Sequence, residues 1–356
     1  SPVIERLVQE GARIAQQHDE AQIGDAELVV VSDAIPAGNV ELEGARRRGI
    51  PVIRRAECLD LLREGRRAVM VAGSHGKSTT SAMIACILDE AGRDPGFSFG
   101  ADVPCLGNRR ARPGGPEVFV AEACEAFRNL DALTPEIALI TNVDDEHVNH
   151  YASQAALEEA FIAFARRARR IVASAEDPGV QRLGLPDDQV VWFGLIPGCT
   201  VSAQPWPAPF APCCDGVVFA PIELRQPGDH MRRNALAAIA ACHQLGVAPE
   251  DMARGLERFT GVARRWQDLG EVSDVRVVDD YAHHPAEVAT TLRAARTVAP
   301  GRRLVAAFQP LLHSRVQRLQ EAFAESLALA DLVLLLDVDD DGESARSAGS
   351  AAIAAG

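Results

Sequence analysis

The chain has 356 residues, of which 47% are hydrophobic and 24% charged, as in a globular protein with more than one core. Its formal net charge of -14 disfavours nucleic-acid binding, because neutralising phosphates requires clustered Lys and Arg. No apolar run approaches the roughly 20 residues of a membrane helix. The opening SPVIERLVQE lacks the basic start and apolar core of a secretory signal. We therefore expect a cytoplasmic protein without a nucleic-acid or membrane partner.

Cysteine and lysine usage narrows the chemistry further. The 8 cysteines show neither CxxC nor His-ligand spacing, so we expect reduced, buried thiols rather than a zinc site. Lysine and arginine together number 36, and Lys77 is the only lysine. Every other basic residue of this kind is arginine, so the lysine at position 77 is a candidate functional residue.

The first elements predict a small parallel α/β unit. VIERLVQEGARIA indicates a helix, AELVVVSDAI a strand, VELEGARRRGI a helix and PVIRR a short strand. A second unit starts with the strand RRAVMVAG and continues into GSHGKSTTSAMIACILDEAG, a loop and a helix ending at Gly92. The apolar runs EVFVAEA and EIALITNV predict further buried strands of a parallel sheet.

Beyond these strands the pattern changes twice. Residues 151–175 have a helical pattern, residues 185–228 predict short strands and turns, and NALAAIAACHQLGV predicts a helix. From about residue 267, a third α/β pattern follows, made of VRVVDDYAHHP, a helix, RLVAAFQP, a second helix and DLVLLLDV. We predict three α/β domains, at residues 1–66, 67–266 and 267–356. The first and third are expected to be incomplete, because the first lacks an opening strand with a glycine fingerprint and the third has few strands.

The segment GSHGKST lies between a predicted strand and a predicted helix, the context of a phosphate-binding loop. Backbone N–H groups of such a turn and of the helix N-terminus bind anions. Lys77 is expected to contact the terminal phosphates and Ser78 to ligate magnesium. The loop is shorter than GxxxxGK[ST], so a glycine turn that only caps the helix is the alternative. The candidate residues are Gly73, Ser74, His75, Gly76, Lys77, Ser78 and Thr79.

Glu122 ends the predicted strand VFVAE, and His147 lies just past the predicted strand ALITNV. Ligand groups of a parallel sheet collect beyond the carboxyl ends of its strands, where the phosphate loop also lies. Glu122 suits a hard cation such as magnesium, and His147 is a less usual ligand for a second one. The alternative is that both are solvated loop residues.

Seven segments occur in an order and spacing that resemble the Mur ligase family: GSHGKSTT, VAEACEAF, PEIALITNVDDEHVNHY, PGDHMRRNALAAIA, FTGVARRW, VVDDYAHHP and FQPLLHSR. The resemblance is strongest to the alanine-adding branch. It implies a partial N-terminal Rossmann-like UDP-binding domain, a central P-loop ATPase domain with a parallel sheet, and a partial C-terminal Rossmann-like domain. It also implies ATP and Mg²⁺, and the ligation of L-alanine to the carboxylate of UDP-N-acetylmuramate through an acyl phosphate in peptidoglycan biosynthesis.

The same resemblance implies a role for individual residues. It assigns metal binding to Ser78, Glu122 and His147. It assigns nucleotide binding to the loop residues together with His230, Asn234, Arg265 and Asp280. It assigns binding of the muramoyl substrate or of the amino acid to Tyr281, His283 and Arg315. The residues that it implies for catalysis are Lys77, His147, Arg265 and His284.

Two features of the sequence concern which amino acid or peptide is joined to the sugar nucleotide. Other Mur ligases carry a carbamoylated lysine downstream of the histidine motif, and no lysine follows Lys77, which favours the alanine-adding type or its tripeptide-recycling relative. Cys124 and Phe127 replace two aspartates of the family pattern, Met231 stands where HN is expected, and Leu311 replaces the histidine of FQPH. The alternatives are therefore a recycling ligase that joins a whole tripeptide, and a non-catalytic nucleotide-binding paralogue or truncated product.

Overall fold

The computed structural model describes residues 2–144, 151–339 and 350–355. The chain divides into two compact units, residues 1–64 and 65–356. Among the described helices, none has both the length and the apolar character needed to cross a membrane.

The helices of the described residues, in chain order, are α1 (Pro2–Gln9), α2 (Val40–Arg47), α3 (Arg55–Leu62), α4 (Lys77–Glu90), α5 (Gln154–Arg166), α6 (Pro178–Arg182), α7 (Asp229–Gln244), α8 (Pro249–Arg258), α9 (Pro285–Val298), α10 (His313–Leu327) and α11 (Ser350–Ala355). The strands are β1 (Val29–Val31), β2 (Val52–Arg54), β3 (Arg67–Ala72), β4 (Gly96–Val103), β5 (Arg109–Arg112), β6 (Val118–Glu122), β7 (Ile137–Ile140), β8 (Arg170–Ser174), β9 (Val190–Gly194), β10 (Val201–Ser202), β11 (Cys213–Cys214), β12 (Val217–Val218), β13 (Gln267–Val272), β14 (Val275–Asp279), β15 (Val305–Phe308) and β16 (Leu332–Leu335).

The first unit is built on a parallel pair of strands. In this pair, β1 and β2 place Val29 opposite Val52. Helix α2 begins after Asn39, whose side-chain Oδ1 accepts hydrogen bonds from the backbone N–H groups of Glu41 and Leu42, at 2.9 and 3.3 Å. The small parallel α/β unit is confirmed, but the first predicted helix is too long, because α1 ends at Gln9.

The second unit contains a ten-stranded sheet with the order β12-β11-β10-β9-β8-β7-β3-β6-β4-β5. Strand β3 pairs in parallel with β6 on one side and β7 on the other. These strands are almost continuously apolar and buried, as expected for a parallel sheet covered on both faces. The predicted buried parallel sheet is confirmed.

Helix α4 is buried all round and packs against α7 and α8. A helix without a polar face requires neighbours on every side. Contact with α8 is close at Gly255, where an added Cβ would lie 2.5 Å from Ile87 Cα. This packing fixes the start of α4, and with it the position of Lys77.

One sequence prediction is wrong in this unit. Residues 151–175 are not one helix, because α5 ends at Arg166 and Arg170–Ser174 forms β8 between β7 and β9. The segment RIVAS is short and apolar, and its burial between two strands decides its conformation.

The last elements confirm a third α/β pattern. Strands β13 and β14 form an antiparallel hairpin, whereas β15 and β16 pair in parallel with Val305 opposite Leu332. Helices α9 and α10 pack together, and a separate hydrophobic cluster there includes Phe308 and Phe323.

Candidate active site

A cavity of about 450 Å³ opens in the second unit beyond the carboxyl ends of three adjacent strands. The loop after β3, the last residue of β6 and the residues after β7 all contribute to its wall. Parallel strands deliver their carboxyl ends to one edge of the sheet, which explains the convergence. Helices α7 and α9 supply further lining residues, including His230 and Glu287.

The loop between β3 and α4 depends on two glycines with positive φ. Gly73 has φ 132° and Gly76 has φ 80°. A Cβ at Gly73 would lie 2.1 Å from Thr141 Oγ1, and a Cβ at Gly76 would lie 2.6 Å from Asn234 Oδ1. Only glycine therefore fits both positions without displacing neighbours.

Residues after β7 hold this loop from the side. The backbone N–H of His75 donates to Asn142 Oδ1 at 2.7 Å, and Thr141 Oγ1 donates to the His75 carbonyl at 2.7 Å. Ser74 Oγ accepts from the Asp144 backbone N–H at 2.9 Å. The anion-binding turn is thus preorganised by the neighbouring strand.

Lys77 begins α4 and is paired with a carboxylate that the sequence analysis did not identify. Its Nζ donates to the two carboxylate oxygens of Glu125 at 3.2 and 3.3 Å, and to the Ser74 carbonyl at 3.1 Å. It also donates to the carbonyl of Gly73. The Glu125 side chain is 1% exposed and that of Lys77 14%. The ammonium is therefore held at the phosphate loop within a mostly buried ion pair.

Two of the predicted metal ligands lie in the cavity wall. Ser78 and Glu122 both line it, and Glu122 Oε1 accepts from the Gly100 backbone N–H at 2.7 Å. Their hydroxyl and carboxylate oxygens are donors that fit Mg²⁺. His147 lies outside the described residues. In the described part of the chain, no three His, Cys, Asp or Glu side chains form a ligand cluster.

Cys124, which the family pattern would have as aspartate, also lines the cavity. Burial raises the pKa of its thiol, so the group is neutral at physiological pH. A neutral thiol is a poor ligand for a hard cation. Glu122 thus remains the carboxylate of this segment that faces the cavity.

His230 and Asn234, the predicted adenine neighbours, project from α7 into the same cavity. Burial, helped by the charge of Arg233, lowers the pKa of His230 to about 4, so its ring is neutral. Asn234 Nδ2 lies 3.9 Å from Met231 Sδ, and Met231 also lines the cavity. A neutral ring, an amide and a thioether form a surface suited to a planar heterocycle.

Arg265 and Asp280 reach the cavity from the segment around β13 and β14. Both Asp280 oxygens accept backbone N–H groups, those of Trp266 and Ala282, each at 2.8 Å. Burial nevertheless raises the pKa of Asp280 above its usual value. Arg265 Nη1 lies 3.3 Å from Glu287 Oε1, so its guanidinium is oriented within the cavity wall.

The predicted substrate residues are only partly brought together. His283 lines the cavity, whereas Tyr281 is 38% exposed and its ring lies beneath the guanidinium groups of Arg264 and Arg265. The His284 ring centroid lies 5.6 Å from that of His75. Burial lowers the pKa of His284 to about 4, and the charges of His75 and Arg315 act in the same direction. Arg315 lies in the first turn of α10.

Glu287 and Asp144 were also missed by the sequence analysis. His75 Nδ1 lies 3.3 Å from Glu287 Oε1, and its Nε2 lies 3.2 Å from Asp144 Oδ2. The hydrogen bond with His75 lowers the pKa of Asp144 against the effect of burial. Asp144 begins the acidic sequence DDE, a pattern typical of the first turn of a helix. Glu287 carries no sequence signal beyond its place near the histidines.

Comparison with known proteins identifies the family. The models for the Mur ligase family, catalytic domain, the Mur ligase middle domain, and the Mur ligase, glutamate ligase domain match residues 1–67, 71–242 and 264–356. A UDP-N-acetylmuramate--L-alanine ligase of Acidothermus cellulolyticus is 41% identical over 364 residues, which cover 99% of this chain and 76% of that protein. The chain belongs to the Mur ligase family. A ligase of the same name from Kineococcus radiotolerans is 42% identical, with coverage of 95% of this Mur ligase and 74% of the relative.

Solved structures agree with this assignment. The UDP-N-acetylmuramate-alanine ligase of Thermotoga maritima matches with a TM-score of 0.78 at 28% identity, over 96% of this Mur ligase and 78% of that chain. A murein peptide ligase of Psychrobacter arcticus matches with a TM-score of 0.71 at 26% identity, over 93% and 76% of the two chains. The mixed α/β architecture of this Mur ligase is therefore that of its family.

Proposed function

We propose that this Mur ligase joins L-alanine to the carboxylate of UDP-N-acetylmuramate in an ATP-dependent reaction of peptidoglycan synthesis. The observation that carries the proposal is the single cavity that gathers the phosphate loop, Glu122, His230 and Arg265. The names of relatives about 40% identical over nearly the whole chain support alanine as the acceptor. The division into domains at residues 1–66, 67–266 and 267–356 is part of the proposal.

In the proposed first step, a carboxylate oxygen of the sugar nucleotide attacks the γ-phosphorus of ATP, and ADP leaves. Lys77 and Arg265 offset the negative charge that would otherwise repel the attacking carboxylate. His230 and Asn234 hold the base at the far end of the cavity. When bound, Mg²⁺ supplies further charge neutralisation, and we assign it to Ser78, Glu122 and His147.

In the proposed second step, the amine of alanine attacks the acyl carbon, and phosphate leaves with the former carboxylate oxygen. A nearby base must take the proton that the amine loses. His284 is a candidate for this base because its pKa of about 4 leaves it neutral near pH 7, although so low a pKa makes it a weak one. His283, Tyr281 and Arg315 are assigned to hold the reacting groups at this edge. A cavity closed by these residues would exclude water from the acyl phosphate.

The test is a competition assay on the purified protein. It is supplied with UDP-N-acetylmuramate, ATP and magnesium, with L-alanine and the tripeptide L-alanyl-γ-D-glutamyl-meso-diaminopimelate as competing acceptors. The expected result is the alanine product, detected by mass spectrometry, in a one-to-one ratio with released ADP.

Two other results would contradict the proposal. Preference for the tripeptide would establish the recycling reaction, which the shared motifs and the likeness to a murein peptide ligase keep as the second candidate. Nucleotide binding without acceptor-dependent ADP release would establish a non-catalytic protein. A Lys77→Met variant, assayed in parallel, controls for contaminating ligase.

A further inference from the structure

Glu287, in the first turn of α9, lies at the centre of a cluster that links the phosphate loop to the segments around β13 and β14. Its Oε1 lies 3.3 Å from His75 Nδ1 and 3.3 Å from Arg265 Nη1. Its Oε2 accepts from the His283 backbone N–H at 3.0 Å and lies 3.3 Å from His283 Nδ1. One carboxylate thus contacts three residues that come from three different parts of the second unit.

The electrostatics of the cluster keep this carboxylate ionised. Burial acts to raise the pKa of Glu287, since its side chain is only 12% exposed. The hydrogen bond with His75 and the charges of His283 and Arg265 outweigh burial and hold the pKa well below its ordinary value. A fixed negative charge therefore lies behind the cations of the proposed phosphate site.

The anchoring of Oε2 decides between two roles for this charge. A carboxylate that merely occupies Arg265 until a phosphate arrives would have to be free to move away. Glu287 is instead tied to the backbone immediately before its own helix, through the N–H of His283. The geometry of a fixed carboxylate is that of a support, which orients the side chains that contact it.

We propose that Glu287 is a positioning residue of the ligation, fixing the guanidinium of Arg265 and the ring of His75 at the phosphate side of the cavity. This inference rests on the proposed function. Glu287 acts through these neighbours rather than on the substrates. Misplacing a catalytic cation by about 1 Å can cost roughly a hundredfold in rate, so the expected effect is on turnover rather than on ground-state binding.

The experiment compares Glu287→Gln and Glu287→Asp in the full chain. Glutamine keeps the size and an acceptor for the His283 N–H but removes the charge, whereas aspartate keeps the charge. For Glu287→Gln we expect kcat to fall by about 10- to 100-fold while the Kd of a fluorescent ATP analogue changes by less than about threefold. Glu287→Asp should recover part of the lost kcat. Glu321→Gln, an exposed carboxylate on α10, is the matched control and should leave kcat unchanged.

A double-variant cycle separates positioning from a general effect on folding. In an Arg265→Ala background, Glu287→Gln should cost less than in the wild type, because one of the two side chains that Glu287 positions is gone and only His75 remains. The proposal would be overturned if the losses in the double variant were fully additive. It would also be overturned if Glu287→Gln kept a kcat within about threefold of wild type, or if it bound the ATP analogue more tightly. A wild-type chain that ligates no amino acid would instead defeat the proposed function, so the two failures are distinguishable.

Discussion

Replacing Lys77 by methionine removes an ammonium that contacts both the phosphate loop and a buried carboxylate, so two losses should appear together. Catalysis should fall by at least about a hundredfold, equivalent to about 2.7 kcal/mol of transition-state stabilisation, because in the proposed mechanism the γ-phosphate loses one of the cations that offset its charge. Stability should also fall, because Glu125 is 1% exposed and loses the Lys77 ammonium 3.2 Å away. Breaking a buried pair from one side costs about 3–5 kcal/mol.

A double variant separates these effects. Glu125→Gln in the Lys77→Met background removes the isolated charge while keeping the side-chain volume, so stability should return while ligation stays lost. A loss of about 3–5 kcal/mol corresponds to roughly 5–8 °C in Tm for a unit of this size. Thermal unfolding of the wild type, the two single variants and the double variant measures the recovery, and ADP release measures catalysis.

Each arm has its own contradicting result. A Lys77→Met variant that retains more than about a tenth of wild-type ligation would refute the phosphate role of Lys77. A Lys77→Met variant as stable as the wild type would refute the energetic account of the Lys77–Glu125 pair. A double variant no more stable than Lys77→Met would place the loss of stability elsewhere in the loop.

Three further predictions concern residues in the cavity wall or next to it. Gly73→Ala places a Cβ 2.1 Å from Thr141 Oγ1, so the free energy of unfolding should fall by at least about 2 kcal/mol in denaturant titrations. Gly301→Ala, at φ 78° with open space around its Cα, should cost only about 1 kcal/mol, and equal losses would refute the steric reasoning. Glu122→Gln should raise the magnesium concentration for half-maximal ligation by about tenfold or more, and an unchanged magnesium dependence would exclude Glu122 as a ligand. His284 has a pKa lowered from 6.5 to about 4, so the folded state binds fewer protons than the unfolded state and stability should fall as pH falls through that window. His284→Asn should weaken this pH dependence of Tm. A variant with the same pH dependence as the wild type would contradict the attribution to His284.

The phosphate loop could be predicted because its signal is local. The strand, the two glycines, Lys77 and the following helix are contiguous, and each residue type has a direct conformational or chemical reason at its position. Glu122 could be placed for a related reason, since the end of a buried parallel strand must lie at the edge where the loop lies. The structure brings both to one cavity.

The supporting carboxylates could not be found in this way. Glu125 is 48 residues from Lys77 along the chain, and Glu287 is 212 residues from His75. Such pairs are created by the packing of distant segments, which neither periodicity nor motif spacing encodes. The missed strand β8 has a similar cause, because a run of five residues takes its conformation from the neighbours that bury it.

Because Lys77 is the only lysine in the chain, its ε-amine can be labelled selectively for NMR spectroscopy. Reductive methylation with isotopically labelled formaldehyde modifies primary amines, and in this chain the only ε-amine is that of Lys77. The resulting dimethylammonium group would give one side-chain resonance, besides that of the terminal amine, from the wall of the cavity. Its chemical shift would report the electrostatic surroundings of the phosphate loop directly, without mutagenesis and without assigning the spectrum of the whole protein.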